Sequence, residues 1–210
     1  MKQDLKQWAE NMIVADADYV SRVAFNLIVN FERMLGRRIP PADLARWLEC
    51  VALDGGLRGS NHEIGVVLVH EKDATKLENF QPDGYEAQLN GKAFMSALGE
   101  FTVNAVAVES FTTKEQLMAD IVEMLVSQGE VRRLAIVPNA EEGDTVDRLR
   151  RILQRAEGDR VVTLLAMQPL MGSCFRQEIL GYSLMQAMGI RGEELGGGQC
   201  GDARARQNEK

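Results

Sequence analysis

Two aspartates at alternate positions, Asp16 and Asp18, close the run Asn11-Met-Ile-Val-Ala-Asp-Ala-Asp-Tyr-Val20. The apolar residues before them read as a buried strand, and those after them as the start of an amphipathic helix. Carboxylates at the carboxyl end of a central parallel strand stand where open α/β sheets hold their ligands, because the chain leaves the sheet there and a crevice opens. Ionised carboxylates are hard oxygen donors, so this pair is a candidate site for a divalent cation. The same placement has a purely structural use: a carboxylate beside a helix N-terminus gains ~0.3–1 kcal/mol from the helix dipole.

Other residue types offer less. His62 and His70 flank an apolar run with no second ligand at metal spacing, and they read as ordinary polar residues. Cys50, Cys174 and Cys200 are odd in number and lack a Cys-x-x-Cys spacing, which argues against a disulfide framework or a zinc site and for free thiols. Arg132, Arg133, Arg148, Arg150, Arg151 and Arg155 could contact phosphates beside the crevice. Such residues more often form a solvated face, and Arg148 has Asp144 four residues before it as a helical partner. Gly196-Gly-Gly198 follows no strand and opens no helix, so it is a poor phosphate loop. A net charge of −7 opposes nonspecific attraction to nucleic acid. The polar first ten residues do not read as a signal peptide, and no apolar run approaches the ~18 residues of a membrane span. The expectation is a cytoplasmic protein with no membrane partner.

The elements that must position Asp16 and Asp18 alternate between strand and helix. Val20, Val23, Ala24, Leu27, Ile28, Phe31 and Leu35 recur every three or four residues, the spacing of a helix with one apolar stripe, and Gly36 closes it. Pro40-Pro41 open a second helix ending at Gly55-Gly56. Ile64–Val69, Phe101–Val108, Arg133–Val137 and Val161–Ala166 are apolar runs of strand length, as expected of strands covered on both faces. Thr112 and Glu115 have the spacing of a capping box before a helix reaching about residue 128, and Asp144 can cap the next. A last helix is expected from Ser173 to Gly189. Residues 71–99 break the rhythm, and Asn90-Gly91 there predicts a hairpin between Glu86–Leu89 and Lys92–Met95. These features predict a three-layer α/β domain over residues 1–191, with a five-stranded, mainly parallel sheet, helices on both faces, a hairpin insertion and a flexible tail over 192–210.

The order of elements and a few residues resemble the NYN branch of the PIN-like nuclease superfamily. Ile13-Val-Ala-Asp-Ala-Asp-Tyr-Val20 is similar to its first motif. Lys114–Val126, with Leu134-Ala-Ile-Val-Pro-Asn-Ala-Glu-Glu-Gly-Asp144, is similar to its acid-bearing helix and second motif. The resemblance covers residues 11–168 and implies strand order 3-2-1-4-5 with acids that hold magnesium or manganese for RNA cleavage. Carried onto this chain, it makes Asp16, Asp18, Asp120 and Glu142 the candidate catalytic residues, with Asp16, Asp120 and Glu142 as the metal ligands.

This chain departs from the family pattern at Tyr19, where the family has Asn. Lys114 falls near the first helix acid, and Ala140 stands where the principal acid would be. A lysine among the acids would pair with them and weaken cation binding. Two classes follow. One is a divergent domain with weak or no nuclease activity that binds RNA, another partner or a second copy of itself. The other is a metal-dependent ribonuclease whose acids converge around Mg2+ or Mn2+.

Overall fold

Strand β1 (Asn11–Asp16) is buried along its whole length, and its alternate side chains enter two different cores. Ile13 and Ala15 pack on one face of the sheet, Met12 and Val14 on the other. A strand covered twice in this way belongs in the middle of a parallel sheet. The computed structural model describes residues 8–156, 158–171 and 174–195, and there β1 lies between two parallel neighbours.

From β1 the chain enters α1 (Ala17–Leu35), with Asp16 accepting the Tyr19 amide at 2.9 Å as N-cap and Gly36 ending the helix in the left-handed conformation. The expected second helix starts after Pro40-Pro41: a two-residue strand β2 (Ala42–Asp43) precedes α2 (Leu44–Asp54), which Asp43 caps. Strand β3 (His62–His70) pairs with β1. Strand β4 (Phe80–Gln81) pairs with β2 in a separate two-stranded ladder. Strands β5 (Lys92–Met95) and β6 (Gly99–Ala107) are antiparallel. Next come α3 (Lys114–Ser127), β7 (Arg133–Val137), α4 (Thr145–Arg155), β8 (Val161–Ala166), β9 (Arg176–Ile179), α5 (Leu180–Ala187) and α6 (Gly192–Leu195).

The main sheet has seven strands in the order β5-β6-β3-β1-β7-β8-β9, where five were expected. The five expected strands are its inner run, all parallel, and the two additions lie at the edges. Edge strands pack on fewer neighbours and carry a weaker apolar signature. Arg176–Ile179, read as helix, instead extends the sheet beside β8. Ser173, the expected start of that helix, lies outside the described residues, and α5 begins at Leu180.

The expected hairpin is corrected as well. Tyr85–Leu89 forms a single π-helical turn, and Asn90 has φ −64° rather than the positive value of a type I′ turn. The Asn90 side chain instead accepts the Ala105 amide, which leaves Lys92–Met95 to pair with β6 through the turn at Ser96–Leu98. Thr113, not Thr112, caps α3, accepting the Gln116 amide at 3.2 Å. Helix α6 opens the segment expected as a tail and is tied to the end of α1 by Arg37 and Glu194 at 2.8 Å; residues 196–210 lie outside the described residues. Among the described residues no helix is long and apolar enough to cross a membrane.

The two cores sit on opposite faces: α1, α2 and α5 cover one, α3 and α4 the other. Gly99 opens β6 at φ +142°, and a Cβ there would lie 2.0 Å from the His62 carbonyl oxygen. Gly99→Ala is therefore expected to lower stability by about 2 kcal/mol or more, read from the urea midpoint. Burial and the charge of Glu178 push the Asp54 carboxyl up to about 6, against the pull of Arg58. Because the folded state holds this proton more tightly than an unfolded aspartate does, ionisation costs stability above pH ~6, and that cost disappears below pH ~4. Asp54→Asn should stabilise on the order of 1 kcal/mol at pH ~8 and have no effect at pH ~4, in paired urea titrations.

Candidate functional site

Alternation along β1 decides what Asp16 meets. Counting by twos from Met12 and Val14 puts its side chain on the face covered by α3 and α4, where α3 begins with Lys114. Lys114 Nζ lies 3.0 Å from Asp16 Oδ1, 2.9 Å from Asp18 Oδ2 and 3.7 Å from Glu71 Oε1. Its side chain is 12% exposed and that of Asp16 5%, whereas Glu71, at 60%, marks the solvent side of the cluster. Asp18 Oδ2 also accepts the Glu71 amide at 2.8 Å, which ties the end of β3 to the start of α1.

One ammonium cannot neutralise three carboxylates. Burial raises the pKa of Asp16 above the usual carboxylate value, and Lys114 and the Tyr19 amide offset only part of that rise. Burial pulls Lys114 downward, but the attraction of Asp16 and the hydrogen bonds to Asp18 and Asp16 prevail, leaving its pKa above the ordinary lysine value. Lys114 is also the first residue of α3, where the helix dipole disfavours a cation. Its position is therefore held by the acids.

The remaining predicted site residues face elsewhere. Asp120 is exposed and accepts from Gln116 Nε2 at 2.6 Å. Six residues of helix rotate a side chain by ~600°, so Lys114 and Asp120 leave α3 in different directions. Glu142 lies 3.4 Å from Arg22 Nη1 and accepts from Asn139 Nδ2 at 3.3 Å. Its neighbour Glu141 accepts from the Tyr19 hydroxyl at 3.3 Å, so the loop after β7 is tied across to the first turns of α1. The structure thus joins Asp16 and Asp18 through Lys114 and engages Asp120 and Glu142 with other partners. Among the described residues no three His, Cys, Asp or Glu side chains form a group that could hold a metal ion.

Sequence reading missed Glu71 and Tyr85. Glu71 stands one residue beyond β3, at the carboxyl edge, and that position was its only available signal. Tyr85 comes from the irregular 71–99 segment, which has no periodicity to place it. Its ring stacks on His70 with centroids 3.8 Å apart and planes within 6°, and His70 Nδ1 lies 2.9 Å from the Glu71 carbonyl. The Tyr85 hydroxyl is buried and has no hydrogen-bond partner among the described residues, and its pKa is raised by burial and then by the charges of Asp18, Asp16 and Glu78.

The chain belongs to DUF6621, a family of unknown function whose sequence profile spans residues 5–195. No curated protein and no solved structure matches it.

Removing the ammonium while keeping its volume should expose the buried carboxylates to each other. Lys114→Met is expected to cost about 3–5 kcal/mol near pH 8, since a buried charge left without its partner is far costlier than the intact pair. Asp16 already has a raised pKa, so the variant's folded state takes up a proton as the pH falls, and the deficit should narrow by pH ~5. Urea titrations of both proteins across this range check the size and the sign.

Proposed function

We propose that this chain is a cytoplasmic binding or self-associating module on a PIN/NYN-like α/β scaffold, with weak or no nuclease activity. The observation that carries this reading is the Lys114 ammonium between Asp16 and Asp18, at 3.0 and 2.9 Å. Metal-assisted phosphodiester cleavage needs exchangeable cations that lower the pKa of a bound water and neutralise charge growing on the phosphate. A tethered ammonium has no open coordination position and cannot generate a metal hydroxide. Ala140 offers no oxygen ligand from its side chain, and Asp120 and Glu142 are engaged elsewhere. Fold likeness alone does not carry an activity over to such a site.

Among partners, a second copy is favoured over RNA. On α4, Arg148 pairs with Asp144 at 2.7 Å and Arg150 pairs with Asp147, so the basic face that phosphate binding would use is largely offset within the helix. Helix α1 leaves Phe25 53% and Met34 59% exposed, and α5 leaves Tyr182 68% exposed. Exposed apolar side chains such as these are available for a second copy to cover.

The expected result is no metal-dependent cleavage when purified protein is incubated with single-stranded or structured RNA in Mg2+ or Mn2+. Cleavage by the wild type that disappears in Asp16→Asn would establish the ribonuclease reading instead. Sedimentation velocity across a concentration series reads self-association, and a monomer throughout would leave a different partner as the target.

A further inference from the structure

The edge of the sheet opposite Asp16 holds a cavity of about 390 Å3. It lies where α3 ends and where β7 and β8 begin, with Val126, Gly129, Val131, Arg132, Asp159 and Arg160 in its wall. Val126 and Val131 are buried, so apolar side chains back it. Two guanidinium groups reach this space from different segments. Arg160 is half-buried and donates through Nη1 to the Val126 carbonyl and through Nη2 to the Gln128 carbonyl at 3.2 Å. This contact covers the partly negative end of α3, which would otherwise repel an anion. Its remaining donor, Nε, is buried and has no hydrogen-bond partner among the described residues. A buried N–H in that state is costly unless water or a ligand accepts from it. Arg132 is exposed, and among the described residues neither arginine forms an ion pair, although Asp159 stands in the same wall.

We propose that this cavity binds a small phosphomonoester, with the phosphate between Arg132 and Arg160 and the organic part against Val126 and Val131. The volume falls in the range of small-molecule sites, ~300–1,000 Å3, and exceeds what a bare phosphate fills. One guanidinium fork satisfies a carboxylate, whereas two guanidinium charges match a phosphate dianion. Arg160 is fixed by the carbonyls of α3 and keeps Nε for the ligand, while Arg132 approaches from the solvent side. Asp159 works against the anion and limits its affinity. The site lies away from Lys114 and does not depend on how the acids at the other edge are read.

The test is calorimetric titration of the full chain with glycerol phosphate, inorganic phosphate and acetate at fixed ionic strength. A net charge of −7 repels anions in general, so binding reports the local site. Glycerol phosphate is expected to bind about tenfold tighter than inorganic phosphate, and acetate more weakly than either. Arg132→Ala and Arg160→Gln should each weaken glycerol phosphate binding about tenfold or more, and Asp159→Asn should strengthen it. Arg155→Ala, which removes an exposed arginine of α4 outside the cavity, should leave it unchanged. Because Arg160 also holds the end of α3, its variant is melted alongside, and the exposed Arg132→Glu carries the test if Arg160→Gln unfolds. Equal affinity in wild type and Arg132→Glu, acetate bound as tightly as glycerol phosphate, or no binding up to about 10 mM would overturn the proposal. An equal loss in Arg155→Ala would show diffuse charge attraction and overturn it as well.

Discussion

Asp16 lies at the end of the most buried strand of the sheet, and a carboxylate there must be compensated or protonated. Desolvating an ion of this kind costs several kcal/mol, and only a close counter-charge with further hydrogen bonds repays it. Lys114 and the Tyr19 amide supply that compensation. The same ammonium reaches Asp18 on α1 and Glu71 after β3, so one charged atom joins the central strand, its neighbour and helices on both faces of the sheet. Lys114 does so from a helix N-terminus, where the backbone dipole repels it, so the acids hold the ammonium there while the apolar face of α3 packs on the sheet.

The surrounding elements follow from that arrangement. With Asp16 committed to capping α1, the helix starts at the strand end without a linker, and its first turn presents Asp18, Tyr19 and Arg22 to the neighbouring loops. Tyr19 and Arg22 receive Glu141 and Glu142 from the loop after β7, while Arg22 also lies over the Tyr19 ring at 5.6 Å. The acids of that loop are thereby used in holding the loop to α1. On the other side, the π-helical turn brings Tyr85 onto His70, whose Nδ1 lies beside the Glu71 carbonyl. A crevice that could admit a substrate at the topological switch point is instead crossed by ion pairs and hydrogen bonds contributed by the chain itself.

Acidic residues at a parallel strand end are compatible with metal chemistry and with its opposite. What separates the two is the identity of the central cation. A hydrated metal exchanges ligands and lowers the pKa of water, whereas an ammonium on a four-carbon stem does neither and is always present at the concentration set by its tether. The sequence departures at Lys114 and Ala140 and the geometry around Asp16 therefore both support the proposed reading, in which the crevice serves cohesion.

The strongly periodic parts of this fold were legible in the residues. The apolar runs at β1, β3, β6, β7 and β8, the stripe along α1 and the glycine after it specify an α/β core, because burial on two faces leaves no polar alternative in those segments. The candidate acids Asp16 and Asp18 were legible for the same reason: they interrupt such a run where a strand must end. The edge strand β9, the turn at Tyr85 and the partner of Lys92–Met95, which pairs with β6 and not with Glu86–Leu89, were not, since short, half-exposed segments take their conformation from the partner they meet. Nor could spacing show that Lys114, 96 residues after Asp18, would lie between two aspartates while Asp120, on the same helix, would face away. That outcome depends on the parity of side chains along β1 and the rotation of α3 against it. Both are properties of packed layers, and only the tertiary structure decided them.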